Sequence, residues 1–149
     1  MNKLTPFITI FFIFGLSGCS NFEPKETGLV DGRLRPCPNA PKCVSSYENE
    51  GIHAIAPLIY DSTQEQAYAK LIDIINSIDN SKIVVQQDNY IHAEFKVTIF
   101  NWIDDVEFIF EEDGRTINFS SSASAKFGYW DWGENRRRMK FILEEFIKN

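Results

Sequence analysis

The sequence predicts an α+β domain, a two-layer sandwich in which a four- to five-stranded antiparallel sheet carries two helices packed on one face. Three observations predict it. Two segments repeat apolar residues at helical spacing, four segments between them are β-branched or alternate apolar and polar residues, and the connections between those four are hairpin-short. A helix with one apolar stripe and a sheet with one apolar face must bury those surfaces against each other, which gives two layers.

The elements follow in order along the chain. Ser62-Thr63-Gln64-Glu65 has the capping-box pattern, and Ala67, Leu71, Ile74, Ile75 and Ile78 then recur on one face, so a helix is expected over about 63–78. Lys82 to Gln87 is rich in β-branched residues, and Gln87-Asp88-Asn89 marks a turn into a second strand, Tyr90 to Ile99. On that strand Ile91, Ala93, Phe95, Val97 and Ile99 alternate with Tyr90, His92, Glu94, Lys96 and Thr98. A turn at Phe100-Asn101-Trp102 leads to Ile103 to Glu111, where Val106, Phe108 and Phe110 share the face opposite Asp105, Glu107 and Ile109. Asp113-Gly114 is a hairpin signal before a fourth strand, Thr116 to Ala123, with Ile117 and Phe119 inward. Asp131 to Glu134 can cap a last helix in which Met139, Ile142, Leu143, Phe146 and Ile147 form the stripe. Residues 44–60, with Ile52, Ile55 and Ile59, can add an edge strand.

Composition bounds the rest. At 149 residues, 44% hydrophobic and with 21 aromatic residues (13 Phe, 5 Tyr, 3 Trp), the chain suits one folded domain and not a disordered segment. Its formal charge of −6 and lack of a basic stripe exclude nucleic acid as an expected partner.

The N-terminus reads as an address. Lys3 precedes an apolar run from Phe7 to Phe14, too short for a membrane span, and then Leu16-Ser17-Gly18-Cys19. That ending resembles the lipobox of bacterial lipoproteins. The resemblance implies that residues 1–18 are a cleaved signal peptide and that Cys19 becomes the lipid-bearing first residue, held in the membrane by several acyl chains. Ser20 after the cysteine, by resemblance to Gram-negative sorting, implies the outer membrane, facing the periplasm. An ordinary secretory signal is the alternative. Residues 19–34 are polar, with Pro24, Gly28 and Gly32, and read as a lipidated tether; 35–149 is the single domain.

Setting Cys19 aside leaves Cys37 and Cys43, which an oxidising envelope would close into a disulfide. A zinc site or a Cys nucleophile are the competing readings, the first short of ligands and the second in need of a reduced thiol.

Chemistry has two candidate locations. His92 and Glu94 lie two apart on one strand and Asp105 and Glu107 two apart on the next, so all four are expected on the polar sheet face. With the turn centred on Asn101, Glu94 would fall near Phe108 and Lys96 near Val106. Such a cluster can bind a cation, do acid–base work, or be a solvated sheet surface. The second location, Gly128 to Arg138, combines two glycines, three aromatics and three arginines; an anion or ring site competes there with a helix cap and a solvated helix face.

Four blocks, Cys37-Pro38-Asn39-Ala40-Pro41-Lys42-Cys43-Val44-Ser45-Ser46, Tyr90-Ile91-His92-Ala93-Glu94-Phe95, Asp104-Asp105-Val106-Glu107-Phe108 and Gly128-Tyr129 through Asp131, Gly133, Asn135 and Arg136, resemble in order and spacing the domain of unknown function 1499 family over about 34–148. The family occurs in bacterial envelope lipoproteins and some plastid proteins, and its activity is not established, so the resemblance implies a fold unit and a location. It also implies that the four blocks converge on one site, with His92, Glu94, Asp105, Glu107, Tyr129, Asp131, Asn135 and Arg136 as candidate ligand-binding residues. Where the family carries an Arg-Ser-x-Ser-Arg run, this chain has Ser122-Ala123-Ser124-Ala125-Lys126, which removes the planar guanidinium forks that would hold an anion.

The leading expectation is therefore a lipid-anchored envelope protein of non-catalytic binding or interaction type, touching the membrane through its anchor and taking a small molecule or protein as ligand, with no cofactor, no metal and no catalytic residue assigned. The alternative is a metal-dependent or acid/base hydrolase using the His/Glu/Asp cluster. A third is a lipid carrier with a cavity between sheet and helices.

Overall fold

The computed structural model describes residues 27–98, 102–123 and 130–148. The expected signal peptide, Cys19 and Tyr129 lie outside those residues. Eight elements follow in order: β1 (Cys43–Ser45), β2 (Leu58–Ile59), α1 (Gln64–Ser77), β3 (Ser81–Gln87), β4 (Tyr90–Val97), β5 (Trp102–Phe110), β6 (Thr116–Ala123) and α2 (Glu134–Ile147). The sheet is antiparallel and has six strands in the order β1-β6-β5-β4-β3, with β2 also on β6. The α+β arrangement is the expected one, and the sheet is larger. β1 pairs with Ser120 to Ser122 and β2 with Thr116 and Ile117, so two very short strands share and cover the outer edge of β6.

Both helices pack on one sheet face. Leu71 and Ile75 of α1 and Met139 and Ile142 of α2 meet Phe108 and Phe119, all fully buried, so side chains fill the space in which a lipid cavity was considered. The capping box forms one residue later than the Ser62 register: Thr63 Oγ1 accepts from Gln66 N and Gln66 Oε1 accepts from Thr63 N, both at 3.3 Å. Either register fits the pattern, because Gln66 serves as well as Glu65.

The β4–β5 register corrects the expected turn. Glu94 pairs with Asp105, His92 with Glu107 and Val97 with Trp102, not Glu94 with Phe108. The alternation itself demands this. Inward residues are odd-numbered on β4 and even-numbered on β5, so facing pairs must sum to an odd number, and a turn centred on Asn101 would put Glu94 against the core. A consequence is that Asp104 sits opposite Phe95, on the helix side of the sheet.

The other sheet face is covered as well. Val30 and Arg33 exchange two backbone hydrogen bonds (2.8 and 3.0 Å) around Asp31 and Gly32, whose φ values of 51° and 76° make a tight turn with both central residues left-handed. This small hairpin lies on the sheet: Leu34 is buried, and Leu34, Tyr90 and Ile109 form a second apolar cluster against which Leu29, Tyr47 and Val85 pack. Within the stretch expected as tether, then, residues 28–34 belong to the domain, because Leu29 and Leu34 supply apolar cover for a face that β4 and β5 leave open.

Candidate functional site

Period-two geometry puts Tyr90, His92, Asp105 and Glu107 on the covered face, as the sequence implies for the last three. All four are buried. His92 Nε2 donates to Asp105 Oδ1 at 2.9 Å, the direction a carboxylate imposes. Tyr90 Oη donates to Glu107 Oε1, and the same oxygen accepts from Gly28 N at 2.6 Å. Burial first, and then the bond to Glu107, push the Tyr90 hydroxyl far above its ordinary pKa. Glu94 lies half-buried at the edge of this cluster, between Lys82 and Asp105 in register.

The rim of the cover is clamped from the turn after β1. Tyr47 Oη donates to Glu111 Oε1 (2.6 Å), and Asn118 Nδ2 donates to the same oxygen (2.7 Å). The Arg33 guanidinium stands over the Tyr47 ring at 4.5 Å. Burial and the Glu111 carboxylate push the Tyr47 hydroxyl up to about 12, with Arg33 opposing them.

A different network lies on the helix side. Asp131 accepts from Gly133 N (2.8 Å) and Asn135 N (3.0 Å), which satisfies amides at the start of α2 where Gly133 offers no side chain. Asn135 is fully buried; its Nδ2 donates to Lys42 O (3.0 Å) and Asp131 Oδ2 (2.8 Å), and its Oδ1 accepts from Ser121 Oγ (2.6 Å) and Arg138 Nη1 (2.9 Å). Arg138 also donates to Asp104 Oδ2 at 2.7 Å and stacks on Phe95, 4.8 Å from the ring centre. Burial holds the Asp104 carboxyl above its ordinary value, with Arg138 pulling the other way. Arg136 donates to the carbonyls of Ala54 (2.9 Å) and Ile52 (2.7 Å), tying α2 to the loop before β2.

The candidate residues thus fall into two sets that the sheet separates, and the expected convergence of four blocks on one site does not occur among the described residues. His92, Glu94, Asp105 and Glu107 are on the side covered by residues 28–34, whereas Asp131, Asn135 and Arg136 are with the helices. The cysteine loop touches both sides, since Cys43 pairs with Ser122 and the Lys42 carbonyl is held by Asn135. Cys37 and Cys43 are joined in a disulfide, which settles the choice left open between crosslink, zinc ligand and nucleophile. Among the described residues no group of three or more His, Cys, Asp or Glu is gathered to hold a metal ion. Surface hollows of about 600 Å³ beside Gln64, Tyr68 and Gln87, and about 350 Å³ beside Ser46, Asn49 and Pro57, contain none of the candidate residues.

Sequence reasoning did not single out Asp104, Tyr90 or Gly28. The odd-sum register would have turned Asp104 inward, and Asp31-Gly32 between Val30 and Leu34 is the hairpin signal that would have brought Gly28 to the sheet.

Residues 33–146 match the family described as protein of unknown function (DUF1499). The chain belongs to that family. This DUF1499 chain is also 32% identical over 133 residues to the thylakoid lumenal 17.9 kDa protein, chloroplastic, of Arabidopsis thaliana, a match covering 80% of the chain and 58% of the plant protein. The chain therefore spans just over half the length of that relative. Among the described residues of this DUF1499 protein, no helix is long and apolar enough to cross a membrane.

Proposed function

We propose that this DUF1499 protein is an extracytoplasmic domain anchored to a membrane, in the outer-membrane manner, through acylated Cys19, and that it acts as a non-catalytic interaction module. The observation that carries the non-catalytic part is the direction in which its polar motif residues point. Glu107 accepts from Tyr90 and Gly28, Asn135 uses both of its polar atoms on four groups of its own chain, and Arg136 binds two carbonyls. Side chains spent in this way hold elements together rather than wait for a substrate. Support for export comes from the Cys37–Cys43 disulfide, which suits an oxidising compartment, and from the lumenal name of the plant relative. Mass spectrometry of the purified protein is expected to find residues 1–18 removed and a diacylglycerol thioether on Cys19, with Cys19→Ser releasing the protein from membranes. Recovery of the full chain with Met1 and free thiols would overturn the reading.

One observation favours the acid/base hydrolase alternative: a buried imidazole oriented by a carboxylate, His92 on Asp105, is half of a general-base arrangement. That reading expects His92→Ala to abolish a pH-dependent hydrolysis of simple esters or phosphates by the intact protein. The interaction module expects no such activity in either form.

A further inference from the structure

We propose that Trp130 and Trp132 form a second, interfacial contact with the bilayer that carries the Cys19 anchor; this rests on the anchoring reading above and adds the orientation of the domain on the membrane. The two indoles are 63% and 72% exposed, against the strong tendency of tryptophan to be largely buried. Their exposure is not slack. Asp131 between them accepts from Gly133 N and Asn135 N, its carbonyl accepts from Glu134 N (3.1 Å), and the Trp132 carbonyl accepts from Arg137 Nη1 (2.9 Å). Trp132 is held at φ 57°, a left-handed conformation that a large L side chain rarely adopts. A backbone fixed in that state to present an indole outward points to a function for the indole.

The position of the pair relative to the anchor identifies the occupant. Trp130 and Trp132 precede α2, whose first turn is tied through Asn135 to Lys42, next to Cys43 and its partner Ser122. They belong to the end of the sheet where β5 begins and β6 ends. Going backward along the chain, the covering hairpin runs from the Tyr90 and Ile109 end to Gly28 at Glu107, and so heads toward the same end. From Thr27 to Cys19 there are eight residues, which reach at most about 28 Å when extended. An anchored Cys19 therefore holds the domain within about 28 Å of the lipid surface, and the direction in which the chain leaves Glu107 favours the tryptophan end as the facing one. Indoles favour the level of the lipid headgroups, where the ring is sheltered and its N–H stays wet. Of the charges between residues 130 and 140, Arg138 is buried on Asp104 and Arg137 pairs with Glu134, which leaves Arg136 and Lys140 against Asp131, a small positive excess in a chain of net charge −6.

The test uses the full acylated protein in vesicles of phosphatidylethanolamine and phosphatidylglycerol, with and without brominated acyl chains. Tryptophan emission is expected to fall about twofold or more with brominated lipid, since indoles at the interface lie within reach of the bromine atoms. In Trp130→Phe/Trp132→Phe, which alters only exposed side chains, the remaining Trp102, partly buried at the start of β5 and so at the same end of the sheet, is expected to be quenched clearly less by bromination than the intact protein. The proposal is overturned if the acylated protein floats with the vesicles while its emission is unquenched and open to iodide. It is overturned equally if the pair is shielded from iodide without vesicles, which would make a second copy the occupant. A protein without an acyl chain that does not float removes the anchoring reading itself, and the two failures are told apart by the mass of residue 19 and by flotation.

Discussion

Arg138 and Asp104 meet between α2 and the sheet with Nη2 2.7 Å from Oδ2 and side chains only 7% and 3% exposed. A salt bridge this deep joins helix to sheet, but it does not follow that it stabilises. Desolvation outweighs the arginine in its effect on Asp104, whose carboxyl is raised and not lowered. The pair therefore contributes its cost when broken more than its worth when made.

Breaking it is expected to be severe. Arg138→Met should lower unfolding free energy by about 3 to 5 kcal/mol at neutral pH, because an uncompensated carboxylate stays buried. The double variant Asp104→Leu/Arg138→Met should lose less than Arg138→Met alone. The sign of the pH dependence follows from the raised carboxyl. A carboxylate whose folded pKa exceeds its unfolded value of 3.8 destabilises above the folded pKa, and the penalty vanishes as pH falls below the unfolded one. Without Arg138 the folded pKa rises further, so the deficit of Arg138→Met should shrink as pH is lowered from 7 toward 4, measured by urea denaturation at each pH.

Tyr60 offers the opposite outcome. It is buried against Phe110, ring centres 6.0 Å apart, and its hydroxyl is the one buried side-chain polar atom without a hydrogen-bond partner among the described residues. Removing an unsatisfied hydroxyl relieves its desolvation cost, so Tyr60→Phe is expected to stabilise the domain by about 1 kcal/mol. An unchanged or lower melting temperature in calorimetry would contradict this.

Much of the architecture was legible because it rests on local periodicity. The alternation of Ile91, Ala93 and Phe95 and the stripe of Met139, Ile142 and Phe146 are each written within one segment. What was not legible depends on partners far along the chain. β1 and β2 are three and two residues long, too short to carry a period, and exist because the edge of β6 needs cover. His92, Asp105 and Glu107 could be assigned to one sheet face but not judged wet or dry, since dryness comes from Leu29 and Leu34, more than fifty residues upstream in a segment whose composition resembles a tether. Asn135 and Arg136 looked like ligand-binding groups because nothing local reveals that their partners are Lys42, Ser121, Ala54 and Ile52.

The covering hairpin can be loosened from beneath. Tyr90→Phe removes a hydrogen bond to a buried carboxylate and is expected to cost about 2 kcal/mol, near the middle of the range for bonds to charged groups. Hydrogen exchange should localise the change: amides of residues 28–34 lose protection, while those of α1 and α2 keep theirs. Uniform loss across the domain would mean that the hairpin and the sheet unfold as one unit.

The disulfide acts on the same cover from its other end. It joins Cys43, buried on β1, to Cys37, three residues beyond Leu34, and closes a loop with a sequence separation of 6. For so small a loop the chain-entropy relation gives a stabilisation of about 2 kcal/mol. Cys37→Ser/Cys43→Ala should therefore remain folded, with its urea midpoint lowered by that amount, and should lose exchange protection first at residues 28–36. Because the crosslink holds the second arm of the hairpin while Glu107 holds the first through Gly28, losing both constraints should cost more than the sum of losing each: either tie alone keeps Leu34 in register with Ile109. A strictly additive result for the Glu107→Ala and cysteine-free variants combined, the first of which removes the acceptor of Gly28 N, would show that the two ties act on independent parts of the chain.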